Sequence, residues 1–250
     1  MAYEFTSLAD ADEFSKLYNH ENHYKGLKIG QTINITKKDS QYSRRQYVIA
    51  GFDLEANNLA TDGTSANNGY GVYLITPTWA TQCNWSNSST IPESYINSKV
   101  RNNISLGYSA DEYRAVIGDH LVRRNVLLSS SVDSSSGRPT GYTWTQEYIT
   151  CPTMHNMTGD SNVDDGELNF QLPLCKSSEG IHKLAQDLNY YYWTRNIYGI
   201  DTDNYFKAWQ YQVKYDYDRD YYYFNPYKRQ AAPSGGGNVI RVVSQMIMIR

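Results

Sequence analysis

Tyrosine is the residue whose placement points most directly to chemistry in this chain, and the chemistry is contact. Half of the 24 tyrosines fall between residues 190 and 227, including the triplets Tyr190-Tyr191-Tyr192 and Tyr221-Tyr222-Tyr223. A phenol ring offers a wide, stiff surface with a polar tip, and it loses little side-chain entropy on binding. In the densest run the rings alternate with Asp216, Asp218, Arg219 and Asp220. They cannot all be buried, because unpaired charges would be stranded with them. The expected reading is a ligand or partner contact surface made by Tyr215, Tyr217, Arg219, Tyr221, Tyr222, Tyr223 and Tyr227. Packing among loops with no partner is the alternative. Trp193 and Trp209, in strand-like contexts, read as core, and Arg195 reads as a residue that stacks or pairs to hold neighbouring loops.

Reactive chemistry has less to stand on. Ser129-Ser130-Ser131 follows His120, but no Gly-x-Ser-x-Gly turn or other nucleophile motif frames them, so no enzyme is expected. Cys83, Cys151 and Cys175 match neither a disulfide framework nor a zinc pattern and read as reduced packing residues. His20 and His23 have metal-ligand spacing but lie past the end of a predicted helix, where solvated imidazoles are the plainer reading. Asp160, Asn162, Asp164 and Glu167 offer hard oxygens for calcium. However, Gly166 falls one place late for an EF-hand loop and no glutamate closes it, so a turn held by its own side chains is the default. No other cofactor is expected.

The 250-residue chain is long enough to bury a core. Its net charge of -3 leaves no footprint for nucleic acid or an anionic membrane. Mean hydropathy is -0.65, and no stretch approaches the roughly 20 apolar residues of a membrane span. The acidic N-terminus has neither a basic nor an apolar leader segment, so no signal peptide is expected and synthesis in a host cytoplasm is.

The elements that must carry the tyrosines follow from periodicity. Ser7 to Tyr18 predicts a helix with Leu8, Ala11, Phe14 and Leu17 inward. Leu27 to Ile35 alternates as a strand with one wet face, while Arg45 to Phe52 and Gly71 to Ile75 are continuous apolar runs suited to central strands. Asn57 to Gly69 is a loop. Pro92 opens a helix with Ile96, Val100 and Ile104 on one face. Ser109 to Glu112 is a capping box with Gly118 as the stop. Val126 to Leu128 predicts a short buried strand, followed by a Ser-rich loop to Gly137 and an irregular stretch over 140–175. Ser178 begins a short helix with Ile181, Leu184, Ala185 and Leu188 inward. Tyr205 to Val213 alternates, Pro233 to Gly237 is a turn, and Val239 to Ile249 supplies the last strand or two. The expected class is α+β: one domain over 1–250 with antiparallel sheets, paired terminal strands, two to four short helices and long surface loops. It has a helical N-terminal segment over 1–24 and a Tyr-rich loop region over 189–237.

Several segments, taken in order, resemble one family. They are Gly26 to Gly30, Tyr47 to Asp53, Asn68 to Gly71, Asn125 to Ser130, Asp164 to Glu167, Tyr192-Trp193-Thr194-Arg195, Phe206 to Trp209 and Ile240-Arg241-Val242. The chain is similar, over nearly its whole length, to virion domains of unassigned function from phages of Gram-positive bacteria. Those domains carry an aromatic-Trp-x-Arg-Ser motif late in the chain and end in a Val-Arg-Pro strand. The resemblance implies a C-type-lectin-like fold that displays variable loops, and a place on the particle surface as a head fibre, capsid decoration or tail protein. Asn196 stands where the family has Ser, Val242 where it has Pro, and the tyrosine segment is enlarged. The expected function is weak multivalent adhesion to a host-surface glycan or protein, with cementing of the shell as the alternative. Partners would be other virion proteins in a homo-oligomer or many copies per particle, with no nucleic acid and no membrane insertion.

Overall fold

The computed structural model describes residues 3–17, 24, 26–36, 44–54, 71–76, 84–104, 109–160, 170–184, 190–231 and 241–250. In chain order the strands of the first half are β1 (Tyr3–Phe5), β2 (Thr32–Thr36), β3 (Arg44–Phe52), β4 (Val72–Ile75), β5 (Arg124–Val132) and β6 (Pro139–Glu147). Those of the second half are β7 (Ile149–Thr150), β8 (Tyr191–Ile200), β9 (Phe206–Asp216), β10 (Tyr221–Gln230), β11 (Arg241–Val243) and β12 (Met246–Ile249). Five short helices accompany them: α1 (Leu8–Leu17), α2 (Lys99–Asn103), α3 (Ala110–Ile117), α4 (Met154–Thr158) and α5 (Ser178–Leu184).

The apolar runs of β3, β4 and β12 lie inside a six-stranded sheet of order β1-β2-β3-β4-β12-β7. Both of its faces are buried, which is why alternation is missing from its central strands. Tyr47, Ile49, Val72, Leu74, Ile247 and Ile249 face one core with Ala11 and Phe14 of α1 and Val116 and Ile117 of α3. Val48, Ala50, Tyr73, Ile75, Met246 and Met248 face a second core with Met154 and Met157 of α4 and Leu184 of α5. The second sheet has the order β10-β9-β8-β11, and β5 and β6 form a separate hairpin. Tyr192 and Tyr211 of the second sheet enter the second core, while Trp193, Ile197 and Ala208 enter the first.

The α+β class stands, with three corrections to its detail. The terminal strands share a sheet without pairing: β1 bonds β2, and β12 slots between β4 and β7. Alternation shows which strand ends are buried but not who lies beside them. Two pairings, β1 with β2 and β8 with β11, are parallel. Five α-helices occur among the described residues, more than the two to four expected, because the 140–175 stretch contributes α4 with its Thr153 capping box.

Other boundaries move too. The N-terminal segment opens with a strand before its helix, and residues 27–31 precede β2 without joining it. The helix expected from Pro92 is a 3-10 turn over Tyr95–Asn97 followed by α2, broken at Ser98, whose hydroxyl caps α2 by accepting from Arg101 N. The Ser109 capping box forms, and Gly118 ends α3 with a positive φ of 56°. Ser129 to Ser131 belong to β5, and residues 139–147 form its partner β6, a strand whose small polar residues hid it. The Asn57 to Gly69 loop, Ala185, Leu188 and the Pro233 to Gly237 turn lie outside the described residues. No described helix is long and apolar enough to cross a membrane.

Candidate functional site

The tyrosine segment is not a loop. Residues 190–231 are mostly strand, and the densest run is the β9–β10 hairpin, with Tyr221 opposite Asp216 and Gln230 opposite Lys207. The carboxylates that interrupt the rings build its turn. Asp216 Oδ1 accepts from the amides of Asp218 (3.0 Å) and Arg219 (3.1 Å), and Asp220 takes a left-handed φ of 53°. An Asx turn of this kind explains why Asp recurs here.

A strand sends successive side chains to opposite faces, so the run does not make one continuous surface. Tyr215 and Tyr222 share one face, their rings 4.8 Å apart. There His182 of α5 stacks on Tyr222 at 4.3 Å and an interplanar angle of 7°, and Ser178 Oγ accepts from Tyr222 N at 2.8 Å. Deeper on that face Phe224 meets Tyr211, which stacks on Tyr192 at 5.0 Å. Burial pushes the Tyr211 hydroxyl well above its ordinary pKa, so it is a neutral packing and bonding group there.

The opposite face carries Tyr221 and Tyr223, 5.5 Å apart, and Tyr227, whose ring meets Tyr191 edge-on at 5.2 Å. Arg229 lies over both of the latter, 5.2 Å from the Tyr191 centroid and 5.3 Å from that of Tyr227. Cation–π contacts of this length attract the guanidinium to the two ring faces. Asn225 Nδ2 donates to the Tyr227 hydroxyl (2.9 Å), which donates to Gln212 Oε1 (3.3 Å). Of the expected contact set, Tyr215, Tyr221, Tyr222, Tyr223 and Tyr227 are half-buried. Only Tyr217, in the turn, stands clear, at 84% exposed, with Arg219 also exposed beside it.

Trp193 is fully buried in β8. Arg195 is buried two residues on and donates from Nη1 to the Cys151 carbonyl (3.4 Å). Trp209 is half-buried rather than central. It packs edge-on to Tyr198 at 5.8 Å, and the Lys228 ammonium lies 4.1 Å from the Tyr198 centroid and 5.2 Å from that of Trp209. Opposite Tyr227 in register, Gln210 is fully buried with neither amide atom bonded, a cost of about 1–3 kcal/mol for each such group. Tyr191, Arg229 and His182 were not singled out in the sequence. For Arg229 the signal was present, since 221, 223, 225, 227 and 229 follow one period-2 track.

β10 is an edge strand, and its outward-pointing amides are those of the even residues, as the Tyr222 bond to Ser178 shows. Pro226 removes one of those donors and Ser178 covers another, which blunts the edge against unwanted strand pairing.

Other candidates fall away. Ser129 is buried in β5, accepting from Tyr95 N at 2.9 Å, while the His120 ring bonds the Arg250 carbonyl and Asp12. Cys151 and Cys175 are buried, the Cys151 thiol donating to the Trp193 carbonyl, and burial raises the Cys175 pKa. Of the calcium candidates, Asp160 is half-buried after α4, and Asn162, Asp164 and Glu167 lie outside the described residues, as do His20, His23 and Cys83. Among the described residues no group of three His, Cys, Asp or Glu is placed to hold a metal.

No family model, curated protein or solved structure matches this chain. The reading of the site therefore rests on its own geometry.

One titration tests the hairpin tip. The Tyr215 hydroxyl donates to the Asp220 carboxylate. That bond, helped by desolvation and the carboxylate's charge, pushes the Tyr215 pKa up to about 12. A raised folded-state pKa means the contact stabilises the hairpin fully below the unfolded tyrosine value of about 10 and is lost as pH climbs through the folded value. Asp220→Asn should bring the Tyr215 titration back toward about 10, read from the ring carbon shifts of labelled tyrosine. No change on substitution would show that the bond does not form in solution.

Proposed function

We propose that this chain is a phage virion surface protein with a C-type-lectin-like fold, working by contact rather than reaction. The reading is supported by the segment resemblance, whose described motifs fall on β3, β5, β8, β9 and β11 and on the turn before β2. The mixed α+β architecture is compatible with that class, while its first and last strands share a sheet without pairing.

The observation that carries the contact role is the odd-numbered face of the hairpin together with its tip. Tyr191, Tyr221, Tyr223 and Tyr227 present half-buried rings, the exposed Arg229 lies against two of them, and the half-buried Asn225 adds an amide. Rings that stack on sugar faces beside groups that bond hydroxyls make a weak glycan site. Many copies on one particle would raise the avidity well above the single-site affinity. The other face of the hairpin is occupied by α5 and serves to hold it.

Particles carrying Tyr217→Ala, Tyr221→Ala and Tyr223→Ala together should assemble normally and adsorb to host cells at least tenfold more slowly. Unchanged adsorption by intact particles would rule out adhesion through this face. Loss of intact particles would instead point to a cement or adaptor role, in which the same rings are a subunit contact.

A further inference from the structure

A second site, built from elements other than the hairpin, lies where α2, the start of α3 and the end of β6 meet. These elements enclose a surface cleft of about 320 Å³. That volume is at the small end of ligand pockets. Its apolar lining is Ile104 and Ile149, both buried, and Ala110. Its polar lining is dominated by Arg101, Arg123 and Glu147.

The charges do not cancel. Arg101 Nη2 pairs with Glu147 Oε1 at 2.9 Å, and Nη1 donates to the Ile96 carbonyl at 3.1 Å. That uses up the glutamate and leaves Arg101 Nε buried without a partner. Arg123 is exposed and makes no ion pair among the described residues. Its guanidinium lies over the Tyr148 ring, 5.7 Å from the centroid. Arg114 lies over the same ring at 5.9 Å, and among the described residues it pairs with the almost fully exposed Asp119 at 3.5 Å. Two like charges gathered on one ring, beside a glutamate already spent, leave a local positive potential in a chain whose net charge is -3. A guanidinium held against an aromatic face is also pre-ordered for a carboxylate or phosphate.

We propose that this cleft binds a monosaccharide-sized anion. Its carboxylate or phosphate would be met by Arg123 with Arg101 behind it, its apolar face would rest on Ile104 and Ile149, and its hydroxyls would be reached by Gln146 and Asn102. The site is independent of the tyrosine hairpin and stands whether or not that surface binds glycan.

Calorimetric titration of the full chain with glucuronate and with glucose 6-phosphate tests it, using glucose and inorganic phosphate as controls. At least one of the two anions should bind saturably, with glucose at least tenfold weaker. Arg123→Gln should weaken that binding at least tenfold and leave thermal unfolding unchanged, since the side chain is exposed. Gln146→Leu should weaken it less, and the hairpin triple variant not at all. The proposal is overturned if neither anion saturates the protein, if Arg123→Gln binds as well as wild type, or if inorganic phosphate alone binds as tightly as the sugar anions. That last result would mark an adventitious ion only.

Discussion

Trp193→Ala should lower the unfolding free energy by about 3–5 kcal/mol, the range for deleting a large buried aromatic. The indole is 0% exposed and belongs to the first core with Trp85, Ile197, Phe206 and Ala208, so the cavity has few routes to collapse. Its backbone is tied in as well. The Trp193 carbonyl accepts from Cys151 Sγ at 3.0 Å, and the next carbonyl, that of Thr194, accepts from Trp85 Nε1 at 3.0 Å. A loss of that size is a large share of the total stability of a typical protein, about 5–15 kcal/mol, and corresponds to roughly 6–20 °C in Tm for a chain of this length. Thermal unfolding followed by circular dichroism measures it. Tyr217→Ala, at the exposed tip, is the matched control and should stay within about 0.5 kcal/mol of wild type. A Trp193 variant as stable as that control would mean the second sheet does not pack on the first core through this residue.

The second large effect is at a residue with no side chain. Gly180 lies in α5, where the helix crosses the turn at Pro173–Lys176. A Cβ there would sit 2.9 Å from the Leu174 carbonyl carbon and nearer still to its oxygen. The obstacle is backbone, which cannot rotate aside, so Gly180→Ala must push α5 outward. Overpacking of this kind costs about 1–3 kcal/mol, occasionally more, and the rigid neighbour places this case at the upper end. The consequence reaches the hairpin, because α5 supplies Ser178 to the Tyr222 amide and His182 to the Tyr222 ring. Hydrogen exchange at the Tyr222 amide should accelerate along with the fall in Tm. A destabilised variant with Tyr222 still protected would show that α5 does not clamp β10.

These two residues mark what sequence reading reaches and what it misses. Trp193 was legible as core because an indole in a strand-like context has few other places to go, although the same reading left Trp209 half-buried. Gly180 was not, since a glycine in a helix shows nothing of the carbonyl that crosses it. The central strands β3 and β4 were legible from uninterrupted apolar runs. β6 was read as irregular because Thr, Gly and Gln carry no period that separates a hairpin strand from a loop. Helix caps were legible at Ser109, where both partners of the box lie within four residues.

The candidate site divides in the same way. Composition alone determined that the rings of residues 215–227 cannot all be buried, since the Asp and Arg between them hold that run at water. Which rings look outward was decided by the tertiary structure. Register against β9, and the arrival of α5 from forty residues earlier, turned Tyr222 into a support and left Tyr221, Tyr223 and Tyr227 open. The cleft beside Tyr148 has the same origin, its two arginines, Arg101 and Arg123, coming from separate segments. Local patterns encode burial and turns because those depend on near neighbours. Which elements lie side by side depends on long-range pairing, and no stretch of this sequence carries that information by itself.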